Sequence, residues 1–171
     1  LGTTARAHDR DGARAFAQVF PHSNGRTCAT CHVLDEHTTL TPDNVVRRLA
    51  QNPRDPLFLP LDADDPTAAE PTWEHLARGL VRVALPLPDN MDVIDAAGNV
   101  IAVPDRRIFV WRGVPTIENA ALSAPYQLDG REDDLPEQAL AAIVSHGEGD
   151  DAPASALERI ARFELGTYSS G

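Results

Sequence analysis

Gly25-Arg26-Thr27-Cys28-Ala29-Thr30-Cys31-His32 is the stretch from which the rest of the chain is read. Two thiols separated by two residues can reach both vinyl groups of a haem and form thioethers, and the histidine that follows then sits under the iron. The pattern C-x-x-C-H is the attachment signal for haem c, and it fixes three uncommon residues at set offsets. Two other chemistries use similar spacing. A redox dithiol also reads C-x-x-C, within a strand-helix-strand pattern that is absent here. A zinc site needs two further Cys or His ligands nearby; no other cysteine exists, and His37 alone does not complete one. The motif therefore predicts one covalent haem c held by Cys28, Cys31 and His32, with His32 as an iron ligand.

Composition sets the frame. A chain of 171 residues with 42% apolar content suits one domain spanning 1–171. Only 5% of residues are aromatic, and a buried porphyrin would supply some of the missing flat apolar surface. The 14 prolines predict long ordered loops and short helices. A net charge of −11 argues against nucleic acid, whose phosphates need clustered Lys and Arg. It keeps the protein soluble and suits redox partners with a basic docking face. No run of about 20 apolar residues is present, so no transmembrane segment is expected. There is no signal peptide, and a start at Leu1 reads as a processed or trimmed product.

Outward from the motif, residues 9 to 20 place Ala13, Phe16, Ala17 and Phe20 on one helical face, closed by Pro21. Thr41-Pro42-Asp43 is a helix start, followed by the stripe Val45, Val46, Leu49 and a stop at Asn52-Pro53. Residues 53 to 71 read as an acidic surface loop carrying Asp62, Asp64 and Asp65, without the ligand pattern of a calcium loop. Residues 72 to 83 resume helical spacing through Trp73, Leu76, Leu80 and Val83, with Thr72 as cap. Val93-Ile94 and Val100 to Val103 flank a Gly98-Asn99 turn and predict a small hairpin. Ile108 to Trp111 is apolar and expected to be buried. Two further helices follow: 135 to 145, with Leu135, Ala139, Ala142 and Ile143 inward, and 154 to 165, with Leu157, Ile160, Ala161 and Phe163.

A haem fixed by His32 has a second axial position. Met with His raises the potential and two His lower it. Met91 is the only methionine and lies in a proline-bearing loop, Pro86 to Met91. His146 ends a helix before Gly147. His75, His37, His22 and His8 are the remaining candidates. Arg26, Arg112 and Arg131 are candidate partners for the haem propionates, since guanidinium binds carboxylate in a fork.

Three stretches resemble the haem domains of the bacterial di-haem cytochrome c peroxidase and related di-haem oxidoreductase family. They are Gly25 to His32, Gly113-Val114-Pro115-Thr116-Ile117-Glu118-Asn119-Ala120-Ala121-Leu122-Ser123-Ala124-Pro125-Tyr126, and Asp129-Gly130-Arg131 with Leu135 and Ala142 to Gly147. The resemblance implies a mainly α, cytochrome c-like helical domain around one covalent haem. Long Pro-rich loops, a small β-hairpin and an insertion over 53–107 complete the expected fold. It also implies that the residue at position 146, here His, ligates iron. The chain has one C-x-x-C-H where the family's peroxidases have two, and Gln127-Leu128 precedes Asp129-Gly130 where the family has a histidine.

These features lead to an electron carrier cycling between Fe(III) and Fe(II), periplasmic or extracellular. The alternative is a haem domain of a peroxidase-like oxidoreductase with an open or displaceable iron site, in which Glu118, Glu132 or Glu148 could act as an acid–base group. A further reading is a module docked on a larger redox complex through acidic residues 62 to 70. The chain could be a whole protein or one domain of a longer di-haem chain.

Overall fold

A computed structural model describes residues 9–169; His8, one candidate ligand, lies outside them. Five helices run in the order α1 (Arg10–Phe16), α2 (Cys28–Cys31), α3 (Pro42–Gln51), α4 (Leu135–Ser145) and α5 (Ala154–Leu165). Between α3 and α4 come four strands, β1 (Leu80–Pro86), β2 (Val93–Ile94), β3 (Val100–Ile101) and β4 (Arg107–Gly113).

The helices form where their apolar residues fall three or four apart. Leu135, Ala139 and Ile143 of α4 make one stripe. Ala156, Leu157, Ile160, Ala161 and Phe163 of α5 make another. Both pack with Ala15 and Phe16 of α1 into one core cluster, in which the Phe16 and Phe163 rings lie 5.0 Å apart. Asp9 caps α1 by accepting from the Gly12 N–H, and Asp134 caps α4 through the Glu137 N–H. Thr41 caps α3 as its sequence predicts. A second cluster gathers Leu40, Val45, Leu57, Phe58 and Leu76.

The expectation of a mainly α domain is overturned. β1 and β4 pair antiparallel along their full length, from Leu80 opposite Gly113 to Pro86 opposite Arg107. β2 and β3 form the second, smaller sheet at the expected hairpin. The fold is therefore mixed, five helices with two antiparallel ribbons. The helix expected over 72 to 83 is where the reading failed. A single short turn, Leu76–Arg78, ends at Gly79, whose φ is +77°. A Cβ there would stand 2.7 Å from the Leu40 carbonyl oxygen, so the chain turns and enters β1. The helical spacing of Trp73, Leu76, Leu80 and Val83 is coincidence across that break. Beyond it, Val81, Val83 and Ile108, Val110 supply the β-branched residues that a ribbon favours. The first helix also stops at Phe16 rather than Phe20, although Phe20 is still buried by the turn that follows.

α1 and α5 approach closely because Gly12 has no side chain. A Cβ at that position would meet Phe163 Cβ at 2.7 Å and the Arg159 carbonyl oxygen at 2.8 Å. Gly12→Ala should therefore lower the melting temperature of the protein, although alanine favours an isolated helix by about 1 kcal/mol. A thermal denaturation curve followed by circular dichroism checks the sign.

Candidate functional site

The Cys-x-x-Cys segment is a helix of one turn. Its start is held by Thr27 and Thr30: the Thr27 N–H donates to Thr30 Oγ1 at 2.9 Å, and the Thr30 N–H returns to the Thr27 carbonyl at 3.0 Å. Arg48 of α3 holds its end, donating from Nη1 to the Thr30 carbonyl at 2.7 Å while gripping Asp55 with its other two nitrogens. Residues three apart share a helix face, so Cys28 and Cys31 lie along one side. Cys28 packs on the α1–α4–α5 cluster and Cys31 on the Leu57–Phe58–Leu76 cluster, so α2 lies in the seam between the two.

Both thiols are free. They are half-buried by surface area, yet enough protein surrounds them that burial pushes Cys28 up to about 12 and Cys31 up to about 11. A redox dithiol needs a thiol held low so that it is nucleophilic at neutral pH; these are held protonated. A tetrahedral zinc site needs four converging ligands, and among the described residues no group of three or more His, Cys, Asp or Glu gathers to hold a metal ion.

His32 closes α2. Its Nδ1 lies 3.0 Å from the Thr38 carbonyl oxygen. A carbonyl only accepts, so in this contact Nδ1 donates and the ring is held in place. Thr38 is itself fixed, its hydroxyl 2.7 Å from Thr116 Oγ1 and accepting from the Ile117 N–H at 2.9 Å. Burial depresses the His32 pKa, partly offset by the Thr38 and Pro115 carbonyls.

Hydrogen bonds tie the backbone of His146 to the segment that leads into the motif. Asn24 donates from Nδ2 to the His146 carbonyl at 3.0 Å and from its backbone N–H to the Gly147 carbonyl at 2.7 Å. Asn24 Nδ2 also reaches Glu148 Oε2, and its Oδ1 accepts from the Arg26 N–H. The turn before Cys28 is thereby zipped to the end of α4. Burial also lowers the pKa of His146, with Asp62 opposing and Arg26, Arg112 and Arg131 adding to the fall. Burial thus disfavours the charged form of both imidazoles and of both thiols.

The other candidate ligands stand elsewhere. Met91 is 54% exposed before the β2–β3 hairpin, its N–H donating to Pro88 and its carbonyl accepting from Arg106; the structure does not bring it to the motif. His75 stacks on Trp111 at 4.2 Å and bonds Asp64 through Nδ1. His22 faces Asp150 and His37 faces Glu118. Of the three arginines, Arg112 and Arg131 act on His146, and Arg131 also pairs with Asp129. Arg26 is spent on the protein: Nε and Nη2 donate to the Pro56 and Leu57 carbonyls at 2.8 Å each, and Nη1 meets Asp62. It clamps residues 56 to 62 to the turn before the motif. Asp62, expected on a surface loop, is buried.

This donor set fits a covalent haem: two thiols on one side of a helical turn, a histidine ring fixed by the Thr38 carbonyl, a second histidine whose backbone is tied to the same segment, and apolar clusters on both flanks. Asn24, Thr38, Arg48, Asp62 and Glu164 belong to the site and carry no motif that would expose them in the sequence. Neither a protein-family model nor a curated protein nor a solved structure matches this chain.

Glu164 of α5 is 5% exposed, its Oε2 has no hydrogen-bond partner, and its charge acts on Cys28. Burial pushes its carboxyl up to about 8. The folded protein therefore holds a proton that the unfolded chain releases near 4.5. Between those values Glu164 makes stability fall as pH rises, on the order of 1 kcal/mol per pH unit. His32 and His146, neutral in the fold, bias the other way, so a difference isolates the carboxyl. Glu164→Gln should be more stable than the parent at pH 8.5 and lose that advantage by pH 4.5, measured by urea unfolding at both values.

Proposed function

We propose that this protein is an electron-transfer c-type cytochrome, with one haem joined through Cys28 and Cys31 and the iron held between His32 and His146. The observation that carries this reading is the motif turn itself: Cys28, Cys31 and His32 stand together at the seam of the two apolar clusters, the His32 ring is held by the Thr38 carbonyl, and Asn24 ties the backbone of residue 146 to the segment that leads into the motif. When bound, the haem supplies a one-electron couple whose charge is spread over the ring. The chain's own part is to disfavour the charged form of both imidazoles by burial, to fix the His32 ring through Thr38 and the backbone of residue 146 through Asn24, and to wall the seam with apolar side chains.

The carboxylates that an acid–base role would need support this reading less well as catalysts. Glu148 accepts from Asn24, and Glu118 lies 3.4 Å from His37. Both have structural tasks. Arg112 and Arg131 are the arginines we assign to the propionates. The order of the three quoted stretches supports a place among haem domains of the di-haem peroxidase type, and attachment of haem c outside the bacterial cytoplasm supports a periplasmic site of action. No helix among the described residues is long and apolar enough to cross a membrane. The negative net charge supports a redox partner with a basic face.

The test compares two variants of the haem-loaded protein. His146→Ala should convert a low-spin optical spectrum into one that responds to added imidazole, because the sixth position is opened. Met91→Ala should leave the spectrum as in the parent. A His146→Ala spectrum unchanged from the parent would remove His146 from the iron.

A further inference from the structure

β1 and β4 pair only with each other, so their ribbon has two edges. One hydrogen bond fixes where the edge groups point. The Arg82 N–H donates to Asp62 Oδ1, and therefore points away from β4. Arg82 stands opposite Trp111, and bonded and non-bonded pairs alternate along an antiparallel ladder. The bonds between the strands thus run through Val81 with Arg112, Val83 with Val110, and Leu85 with Ile108. Leu87, donating to the Arg106 carbonyl just past the ribbon, keeps the same phase. The N–H and C=O groups of Arg107, Phe109 and Trp111 then point out of the ribbon. Among the described residues none of them is paired. Such a row is half of a strand pairing.

Directly opposite residues share a face, and neighbours along a strand alternate. Val81 packs on the Leu57–Phe58–Leu76 cluster, so Val110 and Arg112 lie on the inner face. Arg82, Arg107, Phe109 and Trp111 lie on the outer one. Phe109 is 49% exposed, and the Arg82 guanidinium reaches across from β1 to stand 3.5 Å over its ring. Arg107 is exposed and forms no salt bridge among the described residues. Asp64, which His75 links to Trp111, already accepts from Thr72 and from the Glu74 and His75 N–H groups. Neither strand contains an Asp or Glu, in a chain where acidic residues outnumber basic ones 26 to 15. The open edge is therefore a basic strip on an acidic protein.

We propose that the free edge of β4 docks an extended, acidic segment of a partner protein, which joins the ribbon as a third strand. The alternating donors and acceptors select a backbone of strand geometry. Arg82 and Arg107 select carboxylates among the side chains on its outer face. A second copy of this chain offers the same edge, but pairing with it sets two arginine-bearing ribbons side by side with no carboxylate in either strand. Charge on an edge strand opposes self-association in this way. The surface does not depend on the haem.

The test is backbone amide exchange of the full chain, followed by NMR with two peptide probes. One alternates glutamate with threonine, the other arginine with threonine. The glutamate peptide slows exchange at Phe109 and Trp111 about tenfold when present at about ten times its dissociation constant, and raised salt weakens the effect. Arg107→Glu loses that response and gains one to the arginine peptide. Phe109→Pro removes one outward donor, leaves the bonds to β1 in place and abolishes the response. Arg107→Glu, a change at an exposed position, still decides if Phe109→Pro loosens the ribbon. Equal protection by both peptides, or protection by neither, overturns the proposal. Protection that grows with protein concentration in the absence of peptide also overturns it, and assigns the edge to a second copy.

Discussion

One helical turn, Cys28–Cys31, separates two apolar clusters and belongs to both. Cys28 leans on the packing of α1, α4 and α5; Cys31 leans on Leu57, Phe58 and Leu76. An isolated turn of four residues has almost no stability of its own. It holds its shape because Arg48 satisfies the Thr30 carbonyl at its end and the two threonines satisfy its start. The site is thus a consequence of where the two clusters meet, and loosening either one moves a thiol relative to His32.

Ties distant in sequence fix everything else around that turn. Asn24 joins it to residues 146–148, Arg26 to residues 56–62, Arg48 to Asp55, and Thr38 to residues 116–117. Each tie uses a backbone carbonyl or N–H at one end or a buried charge, the kinds of group that are costly to leave unpaired. A buried ion pair adds little net stability against an apolar replacement. Its persistence in so compact a seam points to a task in fixing charge and geometry.

The helices of the C-terminal half were legible because their apolar residues recur three or four positions apart over a whole helix each. The helix start at Thr41-Pro42 and the small hairpin at Gly98 were legible from turn and cap chemistry. The mainly α reading failed at Gly79, where a left-handed turn redirects a helix-like pattern into a strand, and residue spacing alone does not reveal a close approach to Leu40. Within the site, Cys28, Cys31 and His32 stand out because adjacency in sequence is adjacency in space. His146 drew notice through the Ala142 to Gly147 resemblance, and Asn24 ties its backbone to the segment before the motif. Asn24, Asp62 and Glu164 were not legible, because their roles depend on contacts across 20 or more residues between segments of ordinary polar composition. Asp62 shows this most plainly: in sequence it is one of several aspartates in a Pro-rich stretch, and in space it is the buried partner of Arg26.

The mass of the purified protein, produced in cells that attach haem c, tests the central claim most directly. A covalent adduct of one haem, retained after denaturation and confined to the peptide bearing Cys28, Cys31 and His32, is the predicted result. A mass equal to the bare polypeptide, with both thiols open to alkylation, would contradict it.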